Sequence, residues 1–396
     1  MKVGSTHLTY CTNIHAGEGW LDVFENLRTH LCAVRASIAP ELPFGIGLRL
    51  SAEAAATLRE PAVLAQLRGF LTEHDLYVFT INGFPYGRFH GEPVKARVYQ
   101  PDWTRRERGD YTKALIEILA TLLPDGVAGS ISTVPGGFRS DITAPEQAEL
   151  IAGQLLEQVA ALASVERSSG RHIALALEPE PACFIETTAE LVRFFEAHLL
   201  SARARAGLAR ELAISGAAAE ALIRRHLGIC LDACHAAVEF ETPAESLAAL
   251  SAAGIRIAKV QASAGLRIPE VNAQALEALS AYDEMVYLHQ VVARTHTGEL
   301  LRFVDLPEAF QSEQARAASE WRVHFHVPLY REALGAFSNT QAYLSDLLAL
   351  QRRAPFTSQI EVETYTWDVL PAEQRSAGLV PSIARELAWV RERLVS

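Results

Sequence analysis

Ile173-Ala174-Leu175-Ala176-Leu177-Glu178-Pro179-Glu180-Pro181 begins as a short apolar run and ends on carboxylates and prolines. Side chains alternate across a strand. Ile173, Leu175 and Leu177 therefore share one face, and Ala174, Ala176 and Glu178 share the other. Large apolar groups suit packing against outer helices, whereas small ones suit the crowded interior of a barrel. Read this way, the strand points Glu178 inward at its C-terminal end, and the prolines stop it there.

The same kind of run recurs along the chain. Candidate strands fall at His7–Ile14, Phe44–Leu50, Leu76–Asn82, Gly129–Val134, Ile173–Glu178, Leu227–Asp232, Ile255–Gln261 and Gln359–Glu363, eight in all. Most are separated by segments of helical periodicity: Trp20–Ser37, Ala52–Glu73, Tyr111–Leu123, Pro145–Ser164, Thr187–His226, Pro243–Ala253 and Thr340–Arg353. Strand and helix alternating eight times predict an α/β fold, a parallel sheet closed into a (β/α)8 TIM barrel. An open doubly wound sheet is the competing architecture. It usually carries a Gly-rich phosphate fingerprint after its first strand, where this chain reads Asn13-Ile-His-Ala-Gly-Glu-Gly19.

Two regions exceed a minimal barrel. Thr187–His226 reads as a helical insertion after strand 5, with two helices. Residues 262–331, between strands 7 and 8, read as a hairpin-containing insertion. There Val286–Ala293 and Leu300–Asp305 flank a turn at Thr297-Gly298-Glu299, and an extended segment, Arg322–Tyr330, follows. This insertion is a candidate lid. No repeat, low-complexity tract or long Pro/Gly linker interrupts the chain, so residues 1–396 read as one elaborated domain.

Of 396 residues, 49% are hydrophobic, enough for a full core and against disorder as the main state. With 36 basic and 47 acidic residues the net charge is −11, which argues against nucleic acid or an anionic membrane as the main partner. The cysteines, Cys11, Cys32, Cys183, Cys230 and Cys234, are odd in number and form no C-x-x-C, which disfavours a disulfide scaffold. The N-terminus has no apolar signal core, and no window of about 18 apolar residues is seen. The expectation is a cytoplasmic protein without a transmembrane segment. Nothing in the sequence fixes oligomeric state, and a homo-oligomer stays open.

Alternation applied to the other strands puts Cys11, Asn13 and His15 on one face, and likewise Gly45, Gly47 and Arg49; Thr80 and Asn82; Gly228, Cys230 and Asp232; Lys259 and Gln261; Glu361 and Glu363. Nearly every strand thus carries an inward polar group at its C-terminal end, where a barrel places its active site. Unpaired carboxylates in one pocket repel and are costly to desolvate. A divalent cation removes that cost; carboxylate, amide and imidazole ligands suit manganese, magnesium, zinc or iron.

Cys230-Leu-Asp-Ala-Cys-His235 places Asp232 and His235 three apart. Asp232 is a candidate ligand, and His235 is either a further ligand or an orienter of a substrate hydroxyl. A zinc site from Cys230, Cys234 and His235 has no usual spacing. His324-Phe-His326 puts two imidazoles on one face, fit for a metal or for substrate hydroxyls. His15, Arg49, Asn82 and His289 are further substrate-binding candidates. Either Glu361 or Glu363 suffices as a ligand, leaving the other to pair with a Lys or Arg. Lys259 reads equally as a salt-bridge partner and as a catalyst. Each group also has a purely structural reading: an acidic turn at Glu178, a helix-cap or loop histidine at His235, buried hydrogen-bonded imidazoles at His324 and His326.

At these residues the chain resembles the xylose isomerase-like TIM barrels, a superfamily of sugar isomerases, sugar 3-epimerases, inosose dehydratases and endonuclease IV. The resemblance implies a metal ligand Glu ending strand five, matched by Glu178, and an Asp-x-x-His ending strand six, matched by Asp232 and His235. It implies a Glu ending strand eight, matched by Glu363 with Glu361 in reserve. Many members have a His ending strand seven; this chain has Gln261, a weaker neutral ligand. Within the superfamily the whole chain is similar to the EboE-type metabolite-traffic proteins. The carrying segments are His7-Leu-Thr-Tyr-Cys-Thr-Asn-Ile-His15, Thr80-Ile-Asn-Gly-Phe-Pro-Tyr-Gly87, Ser130-Ile-Ser-Thr-Val-Pro135, Tyr287-Leu-His-Gln-Val291, Val323-His-Phe-His-Val-Pro-Leu329 and Ile360-Glu-Val-Glu-Thr-Tyr-Thr-Trp367.

Three functions follow as expectations. The first is a metal-dependent isomerase or epimerase of a sugar, cyclitol or related polyol. Glu178, Asp232, Gln261 and Glu363 (or Glu361), with His326, would bind the metal, while Glu178, Glu363, His235 and Lys259 would act on the substrate. The second is a degenerate metabolite-binding protein, favoured by Gln261. The third, an endonuclease IV-like phosphodiesterase, needs a richer histidine cluster and a less acidic chain.

Overall fold

The computed structural model describes residues 1–91, 93–370 and 378–395. Eight parallel strands form its centre: β1 (Thr6–Tyr10), β2 (Phe44–Arg49), β3 (Leu76–Asn82), β4 (Gly129–Thr133), β5 (Ile173–Leu177), β6 (Leu227–Asp232), β7 (Arg256–Ala262) and β8 (Gln359–Val362). They are the strands read from the sequence, within a few residues at each end. Their order is β1-β8-β7-β6-β5-β4-β3-β2, and a parallel bridge from Cys11 to Gly47 joins the last to the first. The sheet is therefore a (β/α)8 barrel. A short strand, Lys2–Val3, pairs antiparallel with β1.

The interior follows the predicted faces. Ala174 and Ala176 of β5 cluster with Cys230 and Ala258 inside the ring, while Ile173, Leu175 and Leu177 join the core under the helices. The glycines of β2 have a steric reason. A Cβ on Gly47 would overlap the Glu361 carboxylate, and one on Gly45 would meet the Phe79 ring. Two missing side chains thus leave room for a buried charge and a buried aromatic.

The helical layer differs from the sequence reading in detail. Ala52–Glu73 is two helices, Ala52–Leu58 and Pro61–Glu73, because Pro61 starts a new one. Thr187–His226 holds three helical pieces rather than two: a stretch from Thr188 to Leu199, then Ala202–Leu212 and Gly216–His226. Ser201 and Ser215 each cap the piece that follows, accepting from Ala204 N–H and Ala218 N–H. Against expectation, Pro145–Ser169 is long and apolar enough to match a membrane-crossing helix; here it packs beside Arg106–Leu122 in the outer layer.

The insertion after β7 is larger than predicted. It forms a six-stranded antiparallel sheet ordered Leu300–Phe303, Val291–Arg294, Glu320–Val323, Leu266–Ile268, Phe337–Asn339, Ala333–Leu334. The predicted hairpin is its edge, with Gly298 at φ 89° in the turn. Val327 N–H donates to Ala264 O (2.9 Å), tying the sheet to the C-terminal mouth of the barrel. Across that mouth, Val94 and Lys95 N–H both donate to Val286 O, and Lys95 Nζ bonds Asp305 Oδ2 at 2.7 Å.

Candidate functional site

The strand ends and the insertion border a cleft. Its floor is carboxylate. Glu178 follows β5, Asp232 ends β6 and Glu363 follows β8, and one oxygen from each lies within 4.8 Å of the others. Backbone bonds fix the two glutamates: Glu178 N–H donates to Thr133 O and Glu363 N–H to Ala262 O, each at 3.1 Å.

Asp232 is the N-cap of helix Ala233–Val238, and its Oδ1 accepts from His235 N–H at 2.9 Å and Ser263 Oγ at 2.7 Å. The three-residue spacing from Asp232 to His235 is thus a capping turn that delivers an imidazole beside a carboxylate. Glu363 Oε1 accepts from Asn13 Nδ2 at 2.7 Å and Asn82 Nδ2 at 2.9 Å. Asn82 is oriented by Phe84 N–H, which donates to its Oδ1 at 3.1 Å.

Four further atoms are unpartnered. Glu178 Oε2, Asp232 Oδ2 and both amide atoms of Gln261 are buried with no hydrogen-bond partner. Buried polar groups are otherwise nearly always satisfied, and three carboxylates at this spacing repel. Burial, then the neighbouring Asp232 charge, pushes the Glu178 carboxyl well above its usual range. Burial and the Glu178 and Asp232 charges do the same to Glu363. Oxygen donors without donors of their own, at mutual ligand distance, fit a divalent cation.

Beside this floor stands a wall of imidazoles. His235 Nδ1 bonds Pro179 O (2.9 Å), His324 Nδ1 bonds Gln290 Oε1 (2.8 Å) and His326 Nδ1 bonds Glu363 O (2.8 Å). Each partner is an oxygen acceptor, so each Nδ1 carries the hydrogen. Burial holds all three rings below the usual histidine range.

Glu180 also opens on the cleft. Its Oε1 accepts from Tyr99 Oη at 2.6 Å. Burial raises its pKa to about 8, against the lowering effect of Tyr99. Phe84, Phe89, Tyr287 and Tyr365 complete an aromatic rim.

The structure thus brings together Glu178, Asp232, Gln261, Glu363, Asn82, His235, His324 and His326. Of the predicted residues, Asn82, Glu178, His235, His324 and Glu363 line the cleft, and the other eight do not. Lys259 and Glu361 form an ion pair inside the barrel; burial opposes the lysine charge, and Glu361 outweighs it, raising the pKa. His15 bonds Tyr10 Oη at 2.9 Å and stacks on His30. Arg49 bonds Glu18 Oε2 (2.9 Å) and Gly17 O (3.2 Å) in one loop and Gly87 O in another, bracing the two. His289 stacks on Phe325.

The sequence reading passed over Asn13, Glu180, Tyr99, Gln290 and Tyr365 as site residues. Residue type drew attention to His289, yet its neighbour Gln290 is the one that orients His324. Glu180 lay in the quoted Glu-Pro-Glu-Pro run; the signal was two carboxylates, of which one was used.

No family model and no curated protein matches the chain. Among solved structures it is similar to the probable 3-DHS dehydratase AsbF of Bacillus anthracis, with 12% identity, 97% of each chain covered and a TM-score of 0.47. It is also similar to the zinc-bound IOLI protein, with 14% identity, 99% of this chain and 98% of that one covered and a TM-score of 0.47. A third likeness is the 3-keto-D-glucoside 4-epimerase YcjR of E. coli, with 13% identity, 98% and 99% covered and a TM-score of 0.45. Likenesses at this level carry no argument about activity or ligands.

Proposed function

We propose that the chain is a divalent-cation-dependent isomerase or epimerase of a sugar, cyclitol or related polyol, acting in a cytoplasmic small-molecule pathway. One observation carries the reading: unpartnered, buried oxygens of Glu178 and Asp232 lie within ligand distance of Glu363, at the base of a cleft that Glu178 and Glu363 line. Glu178, Asp232, Gln261 and Glu363 would hold the cation. When bound, it supplies neutralisation of these carboxylates and Lewis-acid polarisation of a substrate oxygen.

The chain's own groups do the rest. Asn13 and Asn82 hold Glu363 in one orientation through its Oε1. One of the carboxyls Glu178 and Glu363 takes the proton from the carbon beside a substrate carbonyl and returns it after rearrangement. His235 Nε2, with Nδ1 committed to Pro179 O, accepts from a substrate hydroxyl. The aromatic rim packs on the C–H face of the ring and excludes water.

The test is proton exchange. Metal-loaded protein incubated in D2O with a panel of ketoses and cyclitol ketones is expected to wash deuterium into the carbon next to the carbonyl, read by NMR. Glu178→Gln and Glu363→Gln, with melting curves showing they fold, are expected to lose exchange by at least about 100-fold. No metal-dependent exchange across the panel would overturn the enzyme reading. Tight polyol binding without exchange would favour a metabolite-binding protein instead, the reading that Gln261 supports.

A further inference from the structure

We propose that Lys95 is a strained catch over the cleft: it fastens the loop after β3 to the insertion, and its release admits a ligand. The proposal rests on the function above only in taking the cleft as the ligand's seat.

Both sides that the catch joins line the cleft. The loop contributes Phe84, Phe89, Lys95 and Val98, and the insertion contributes Tyr287 and Leu288. Four bonds cross between them at Lys95 and its neighbour. Val94 N–H and Lys95 N–H both donate to Val286 O, at 2.8 and 2.9 Å. Lys95 Nζ donates to Glu284 O at 3.1 Å and to Asp305 Oδ2 at 2.7 Å. The sides also touch at Tyr287, whose ring lies 5.3 Å from that of Phe89 and whose hydroxyl bonds His90 Nδ1 at 2.9 Å.

The insertion side is held in place by its own bonds. Glu284 folds its carboxylate back on its turn, accepting from Val286 N–H and Tyr287 N–H. Asp305 Oδ1 accepts from His289 N–H and Leu306 N–H, each at 3.0 Å, which leaves Oδ2 for Lys95. The loop side is strained. Lys95 has φ 43°, in the left-handed region that residues with a Cβ rarely adopt. Such a residue costs free energy, persists only where its surroundings hold it, and recurs at clamps and switches. The bonds of the catch therefore act against a backbone that relaxes when they part.

The loop has fixed ends and room to move. A groove beside the cleft is lined solely by residues between Pro85 and Gln100, so on that side the loop rests on itself rather than on the barrel. Its ends are pinned at one guanidinium. Arg108, fully buried on helix Arg106–Leu122, donates to Gly83 O (2.9 Å), Phe84 O (3.0 Å) and Pro101 O (2.7 Å). The loop is thus held at both ends, strained at one residue between them, and fastened there to a separate sheet. A ligand that touches Val98 and Leu288 together favours the closed form.

The test is access to the cleft imidazoles. Metal-free, full-length protein is treated with diethyl pyrocarbonate, and modification is mapped at His235 and His324, which line the cleft, and at His296, which is exposed. Wild type is expected to react far more slowly at His235 and His324 than at His296. Asp305→Asn weakens the catch and keeps an oxygen for the Leu306 N–H cap. Lys95→Met removes the charge and keeps the strained backbone, whereas Lys95→Gly removes both. The Asn and Met variants, each shown to fold by its melting curve, are expected to speed modification of both cleft histidines by about tenfold or more, with His296 unchanged. Lys95→Gly is expected to react more slowly than Lys95→Met, because its closed form no longer carries the strain. Cleft histidines as reactive as His296 in wild type would overturn the proposal. So would rates unmoved by the Asn and Met variants, or equal rates in the Met and Gly variants. Hydrogen exchange of wild type needs no variant. Residues 94–98 are expected to exchange faster than Ile173–Leu177 of β5, and equal protection would mean that the catch does not release. These readings need neither metal nor turnover, so the proposed enzyme and the catch can fail separately.

Discussion

The lower and upper halves of the barrel interior are equally buried and differently finished. In the lower half polar groups pair with one another. His7 Nδ1 pairs with Tyr77 Oη (2.8 Å), Thr9 Oγ1 donates to Gly45 O (2.7 Å), and Ser130 Oγ bonds both Thr80 Oγ1 and Gln359 Oε1. Midway, Lys259 answers the charge of Glu361 through Oε2, although Glu361 Oε1 accepts no hydrogen bond. One layer higher, Glu178, Asp232, Gln261 and His326 each hold at least one atom with nothing to bond. The lesson is that charge inside a barrel does not by itself mark a site. Charge left unanswered does, because a fold that tolerates it gives up stability that a ligand can restore.

That contrast is broken most forcefully from below. Lys259→Met leaves Glu361 buried without its counter-ion, and losing one partner of a buried pair costs about 3–5 kcal/mol. It also removes a positive charge that tempers Glu178 and Glu363. Equilibrium urea denaturation should show that loss, and Lys259→Met with Glu361→Leu should recover most of it. If the single substitution is neutral, the lower half is not the matched structure described here.

From above, the sign reverses. Glu178→Gln removes one of three mutually repelling carboxylates. The metal-free variant is expected to be more stable than wild type by about 0.5–2 kcal/mol, as replacements at strained functional positions often are. The same variant should gain less from added Mn2+, measured as the shift in melting temperature. A destabilised metal-free variant would mean that Glu178 is structural.

How much of this was legible depends on the periodicity that carries it. The period of two in β5 marks Ala174 and Ala176 as inward and Glu178 as the polar end, because a barrel imposes opposite demands on its two faces. The same rule reaches Asp232, Gln261 and Glu363, and the Asp232–His235 spacing is local enough to read. The partners are not legible. Asn13 and Asn82 meet Glu363 across 350 and 281 residues of chain, and Gln290 meets His324 only because two strands of the insertion lie antiparallel. Arg49 and Lys259 were read as site groups from their faces alone, but a face gives direction and not height. Arg49 turns into the loops that flank it, and Lys259 stops one layer short of the cleft.

The smallest effect sharpens the comparison within the upper half. Glu180 has what Glu178 lacks, a hydroxyl donor, yet burial still raises its pKa to about 8 from an ordinary 4.5. A carboxyl raised in the folded state binds more protons folded than unfolded. Its contribution is full below the unfolded pKa and falls away as pH rises through the folded one. From pH 7 to pH 8 the loss from this one group is about 1 kcal/mol. Other groups titrate in that interval, so the informative quantity is the difference between metal-free wild type and Glu180→Gln. Relative to the variant, wild type should lose stability as pH rises through this range, followed by denaturant midpoints at each pH. A flat difference would mean that the Tyr99 bond has brought Glu180 back to an ordinary acid, matched like the groups below it. A falling one sets Glu180 with Glu178 and Glu363, among carboxyls whose negative charge the fold alone does not stabilise.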